Sequence, residues 1–358
     1  MISPYRDLPD HHFWRRSVSG RTPETLDPII PSRFRFGRED RIATAGSCFA
    51  QHIARTLQST GFTYLRAETG PSSVGATDEN YSTFSARYGN IYTVRQLLQL
   101  FQRAFGLFDP AGRAWRRDDG RFVDPFRPVI QSEGFANEED VLADREAHLA
   151  AVQTIFETCN VFIFTLGLTE GWRSQSDEAV VPLAPGVVAE APAGESFVFH
   201  NFSVPEMSAD LSLFLTLLRK VNPTVRVVLT VSPVALIATY ARQHVLVANA
   251  YSKAALRVVA DMAQHAFDFV DYFPSYEMIT GPHARGRFFM EDLREVTAEG
   301  VDHVMRNFAR HYLDETLVKS HVAAGSYVIR EEDIRYQRAL IESVSQVICD
   351  EEHIDRRA

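Results

Sequence analysis

The stretch Arg41-Ile42-Ala43-Thr44-Ala45-Gly46-Ser47-Cys48-Phe49-Ala50 decides the fold. A short apolar run ends at Gly46-Ser47, and Phe49, Ile53, Ala54 and Leu57 then recur at the spacing of one helix face until Gly61. The pattern is strand, tight turn and helix. Ser47 therefore stands where free backbone N–H groups and the positive end of a helix dipole favour an oxyanion or a phosphate. A serine so placed is either a helix cap or a nucleophile whose developing oxyanion is already stabilised.

Working outward, the same alternation repeats. Phe62-Thr63-Tyr64-Leu65 reads as a second short strand, followed by a Gly/Ser/Asn-rich loop from Gly70 to Asn80. Val94, Leu97, Leu98, Phe101 and Phe105 mark a helix just after Tyr88-Gly89-Asn90. Asp119-Gly120 between Trp115 and Phe122 predicts a hairpin outside the main sheet. Asn137 caps a helix to Thr158, on which His148 reads as a structural histidine. Asn160 to Leu166 is a nearly continuous apolar run, as expected of a central parallel strand covered on both faces. Val180 to Phe199 predicts an irregular β excursion, and Ser203 and Glu206 open a helix that Asn222-Pro223 ends. Arg226 to Val231 and Phe267 to Asp271 are the remaining core strands, with a helix from about Ala250 between them and another from Thr297 to Tyr312. Strands alternating with helices predict a three-layer α/β/α sandwich on a mainly parallel sheet. An N-terminal arm (1–40) should pack on a domain spanning 41–316, and Ile334, Ala339, Ile341, Val344 and Val347 predict a C-terminal helical extension over 317–358.

Composition limits the function. The 358 residues, 45% of them hydrophobic, suffice for a large core. Lys and Arg total 37 against 46 Asp and Glu, and this charge of −9 argues against nucleic acid and anionic membranes as partners. Cys48, Cys159 and Cys349 form no metal-ligand spacing, so neither metal nor cofactor is expected and a reducing cytoplasm is the expected setting. Asp7, Asp10, His11 and His12 precede any apolar run, which predicts no secretory signal, and no run approaches a membrane span.

Gly46-Ser47-Cys48-Phe49-Ala50 resembles the signature of the GSCFA family, which is grouped with the SGNH (GDSL-like) hydrolases. Tyr88 to Thr93, Thr165 to Trp172, His200 to Ser203, Thr230 to Val234 and Asn249 to Ala254 also look like family pattern. The resemblance covers roughly residues 40 to 310 as a series of ordered blocks, which is more specific than any one of them. It implies an SGNH-like, flavodoxin-like sheet. It also implies a serine esterase or O-acyltransferase working on an acyl ester, of a glycan or a small molecule, through acyl-Ser47. Gly89 and the Asn90 amide would join the Ser47 N–H in an oxyanion hole. Where SGNH enzymes carry Gly-x-Asn-Asp this chain has Gly167-Leu168-Thr169-Glu170, and Thr169 offers one hydroxyl in place of an amide.

The block after the last strand departs further. SGNH hydrolases place Asp-x-x-His there, but this chain reads Asp292-Leu293-Arg294-Glu295. A glutamate is a weak base near pH 7 unless burial raises its pKa. Three readings stay open: Glu295 is the base; a histidine is, with His244 preferred over His283, His303 and His200; or the crevice only binds a ligand. Asp292 would orient the base, while Glu170, His200, His283 and Arg285 are candidate substrate contacts. Cys48 is a competing nucleophile, but it should face the core, where thiols are inert.

Overall fold

A computed structural model describes residues 3–59, 61–70, 80–81, 83–314 and 350–355. Its central sheet is parallel, in the order β1 (Ile42–Gly46), β4 (Val161–Leu166), β8 (Arg226–Val231), β9 (Val270–Tyr272). Ile42 pairs with Val161, and Val161 in turn with Arg226, so β1 ends at Gly46 opposite Thr165, and Leu166 ends opposite Val231. On the outer side of β1 the expected strand Phe62–Leu65 is reduced to one bridge from Tyr64 to Ile42. Counting it, the order is 2-1-3-4-5, and the point where the strand order reverses lies between β1 and β4. That is where Ser47 and Gly167 emerge.

Alternation along the strands separates the two faces. Phe162, Phe164 and Leu166 join Ala43, Ala45, Val227, Leu229 and Val231 beneath helices α3 (Val94–Ala104), α4 (Glu138–Thr158), α5 (Val204–Val221) and α6 (Val245–Ala266). Ile42, Val161, Ile163 and Val228 face the other way, onto α2 (Ala50–Ser59), α7 (Ser275–Thr280) and α8 (Ala298–Tyr312). The result is the three-layer sandwich predicted from the periodicity. Thr93, Asn137, Ser203 and Thr297 each cap the helix that follows them. The arm packs on α8: Phe36 pairs with Leu313, Ser32 Oγ donates to the His311 carbonyl, and Asp27 contacts Arg310 and His311.

Two small antiparallel sheets lie outside. Trp115–Arg116 (β2) pairs with Phe122–Val123 (β3), as the Asp-Gly turn predicts. The excursion after β4 is more regular than expected: β5 (Glu170–Ser174) pairs with β6 (Val180–Val181) and β7 (Phe197–Asn201). Helix α6 starts at Val245 rather than near Ala250, because the His244 ring accepts the Leu246 N–H and caps it. No helix among the described residues is long and apolar enough to cross a membrane. Most of the Gly70 to Asn80 loop, the periodic part of the C-terminal extension and Cys349 lie outside the described residues.

A buried charge network fixes the segment before Tyr88. Asp124, fully buried, accepts from Arg127 Nε and Arg145 Nη2, both at 2.9 Å. Asp144 accepts from Arg87 Nη1 (2.9 Å) and Arg127 Nη2 (2.8 Å), and Glu68 accepts from the Arg87 N–H (2.7 Å). Burial favours a protonated Asp124, but Arg145, Arg127 and Arg103 outweigh it and hold the carboxyl far below its usual range. Burial and the Arg127 charge lower His148 to about 4, so its neutral ring donates from Nδ1 to Glu68 at 2.8 Å.

Candidate functional site

Three loops meet at the carboxyl edge of β1 and β4. Gly46 has φ +134°, and a Cβ there would lie 2.3 Å from the Thr165 carbonyl oxygen, so the end of the ladder requires glycine. The Gly46 carbonyl accepts the Ile91 N–H at 2.9 Å, and the Tyr88 hydroxyl donates to the Thr44 carbonyl. The Tyr92 carbonyl accepts from Gly167 (3.1 Å) and Leu168 (2.9 Å), closing the third side. At Gly167 a Cβ would come 3.0 Å from Ser47 Cβ and 3.2 Å from the Tyr92 oxygen. The serine turn is thus clamped between two glycines and the Tyr88–Tyr92 loop.

Ser47 is 3% exposed, and its hydroxyl has no hydrogen-bond partner among the described residues. A buried hydroxyl left unpaired carries a desolvation cost, a condition that active sites tolerate when a ligand supplies the bond. Gln51 Nε2, one helical turn on, and the Thr169 hydroxyl are buried and unpaired in the same way. The Ser47 N–H continues the sheet ladder to the Thr165 carbonyl at 3.2 Å. As an oxyanion donor it would have to exchange that bond. Gly89 is buried with φ +67°, and the Asn90 amide donates to Asp350 Oδ1 at 3.4 Å. Cys48 is buried, as expected, and burial pushes Cys159 up to about 12.

The acid/base candidates lie apart from this serine. Asp292 is exposed, and its Oδ1 accepts the Arg294 and Glu295 N–H groups at 3.0 Å, so its carboxylate caps its own turn. Glu295 is exposed and pairs through its carbonyl with the Met290 N–H. His244 is the exposed cap of α6. His283 Nε2 lies 3.1 Å from the Met278 carbonyl, with its pKa lowered by burial, and His200 Nε2 lies 2.8 Å from Glu206. His303 is buried and stacked on Phe288, and Arg285 is exposed in a turn with φ +50°. Among the described residues none of these side chains bonds the Ser47 hydroxyl.

Other residues do converge on the crevice. Lys253 on α6 is 1% exposed and donates from Nζ to the Gly167 carbonyl at 2.8 Å, while its neighbour Ser252 accepts the Thr169 N–H at 3.1 Å. A lysine sharing the buried face of Leu256 and Ala260 was the available signal, since such positions are rarely charged without a partner. Arg294 Nε donates to the Ala235 carbonyl at 3.1 Å, and its Nη2 lies 3.1 Å from Glu351 Oε2. Glu170 accepts from the Thr239 hydroxyl at 2.7 Å, and burial raises its pKa.

No curated protein and no solved structure matches the chain. The GSCFA family model matches residues 41–308, the span that holds Ser47, the Tyr88–Tyr92 loop, Gly167 and Lys253. The chain belongs to the GSCFA family.

Proposed function

We propose that this crevice is the acyl-transfer site of an SGNH-like serine esterase or O-acyltransferase, acting on an acyl ester of a glycan or a small molecule. The observation that carries the reading is the buried, unpartnered Ser47 hydroxyl at the point where the strand order reverses. Ser47 Oγ attacks the ester carbonyl carbon and its proton passes to a base. The carbonyl oxygen gains charge held by the Ser47 and Gly89 N–H groups, the Asn90 amide and the Thr169 hydroxyl. The bond to the alcohol breaks, the base returns the proton to the departing oxygen, and acyl-Ser47 remains. Water, or the hydroxyl of an acceptor, then takes the acyl group and regenerates the serine. His244 or Glu295 is the base in this scheme and Asp292 its orienting partner, while Glu170, His200, His283 and Arg285 line the approach of substrate. For His244 the ring must first release the Leu246 N–H.

A second reading has its own support, since no acid or base among the described residues bonds the Ser47 hydroxyl and the Asp292 carboxylate is engaged within its own turn. It is a non-catalytic module that binds an ester or glycan in the same crevice. Hydrolysis of p-nitrophenyl acetate by the wild type and by Ser47→Ala separates the two. The esterase reading expects turnover that the substitution abolishes. Background rates from both proteins, with ligand affinity retained in Ser47→Ala, would establish the binding module.

A further inference from the structure

Three aromatic rings stand together at the start of the small sheet that leaves the crevice. Trp172 on β5 and Phe199 on β7 are paired across the ladder with ring centroids 6.0 Å apart, and the Tyr240 ring lies 4.9 Å from the first and 5.6 Å from the second. The rings are inclined by 50° to 67°, so they cover less of one another than a stack would, and Tyr240 is 70% exposed. Glu170 precedes Trp172 by two residues and shares its face of β5, opposite Asn201. Its carboxylate accepts from the Thr239 hydroxyl at 2.7 Å and from the Tyr240 N–H, which fixes the turn that carries the Tyr240 ring. Leu236 of the same loop is buried against Leu168 and Tyr92. A ring so exposed returns little burial energy for the carboxylate partly removed from water to hold it. Asn201 Oδ1 is buried and has no partner among the described residues. Trp172 is three residues beyond Thr169 of the crevice, about 10 Å along an extended strand.

We propose that Trp172, Phe199 and Tyr240 form a platform for a pyranose ring, so that an uncharged saccharide carries the ester presented to Ser47, and that Glu170 is the positioning residue for Tyr240. This rests on reading the crevice as the ester site, and it selects the glycan over the small molecule. The C–H groups on one side of a pyranose pack on the negative face of an aromatic ring, and its hydroxyls supply the donor that Asn201 Oδ1 lacks. An acyl chain would cover the rings but brings no donor for that oxygen. An anionic sugar would be repelled by Glu170.

The test uses the full chain. Cellotriose, xylotriose and triacetylchitotriose are titrated against its tryptophan fluorescence, with sodium decanoate as the acyl-chain comparison. At least one trisaccharide should give a saturable change that Trp172→Phe removes while Trp14 and Trp115 remain, and decanoate should give none. By calorimetry Tyr240→Ala should weaken that trisaccharide about tenfold, and Tyr240→Phe, which keeps the ring, should retain it. Thr239→Val, which removes the hydroxyl bonded to Glu170, should weaken it about threefold. No change with any of the three trisaccharides, decanoate binding in their place, or an affinity unmoved by Tyr240→Ala would overturn the proposal. A serine-probe adduct on Ser47 without trisaccharide binding keeps the esterase reading and rejects the platform. Trisaccharide binding without an adduct keeps the platform and rejects the esterase reading.

Discussion

Two charged clusters flank the Tyr88–Tyr92 loop, and they differ in what their buried carboxylates face. In the network behind it, Asp124 and Asp144 accept guanidinium bonds of 2.8 to 2.9 Å from Arg87, Arg127 and Arg145, and Glu68 accepts the Arg87 backbone N–H at 2.7 Å, while Arg103 Nε, Arg145 Nε and His148 Nε2 are buried without a partner among the described residues. In the crevice before it, Glu351 faces Arg294 at 3.1 Å and the Lys253 charge, Asp350 faces the Asn90 amide at 3.4 Å, and the Ser47 and Thr169 hydroxyls have no partner among the described residues. Buried carboxylates that face guanidinium groups stay ionised and hold one conformation, whereas a buried carboxylate that faces an amide alone is pushed toward its protonated form.

The largest effect expected from this contrast is at Asp124. Replacing it by Ala leaves Arg127 and Arg145 buried without their shared partner, and urea denaturation should show a loss of about 3–5 kcal/mol. Gly167→Ala comes next: its Cβ would press on Ser47 and the Tyr92 carbonyl, with a cost of about 1–3 kcal/mol and a displaced serine. The same denaturation series, run beside p-nitrophenyl acetate turnover, reads both. Arg294→Gln leaves the buried Glu351 facing the Lys253 charge alone, and its cost in global stability should fall below that at Asp124 because residues 350–355 can leave the crevice and rehydrate without unfolding the core. A cost as large as that at Asp124 would erase the distinction between the clusters. The smallest effect is expected at His244→Ala, about 0.5 kcal/mol for an exposed helix cap, unless the histidine is also the base, in which case turnover falls far more than stability.

The clusters also differ in their response to pH. Burial first, and Glu351 second, raise Asp350 from its ordinary 3.8 to about 7. A carboxyl whose pKa is higher in the docked state binds its proton more tightly there, so docking is fully favoured below about pH 4 and weakens as pH rises through about 7. The protection factors of amides at residues 350–355, taken relative to the unfolded rate at each pH, should fall over that interval. Asp124 has the opposite shift and stays ionised throughout, so the network behind the loop should hold its protection. Uniform exchange at both places would contradict the contrast.

The sequence made the scaffold legible because local rules act there. Period-two and helical spacing located β1, β4, β8 and the helices, and caps such as Asn137 and Ser203 set their starts to within a residue. The turn at Ser47 was readable because one glycine and one helix pattern define it. The rest depends on contacts between distant parts of the chain. Nothing local in Asp350 announces its bond to Asn90, 260 residues earlier, and nothing local sets Arg294 apart from Asp292 and Glu295 beside it. An aspartate two and three residues ahead of backbone N–H groups is equally the sequence of a turn cap, which is the role that Asp292 fills here. Helix α6 was expected to start late because histidine is not among the residues that usually cap.

The most direct measurement is intact-mass analysis after treatment with a fluorophosphonate serine probe, with Ser47→Ala and Cys48→Ala as controls. The account predicts one adduct on the wild type, mapped to Ser47, absent from Ser47→Ala and retained in Cys48→Ala. No adduct at any pH at which the protein stays folded would contradict an activated serine and leave the crevice as a binding site alone.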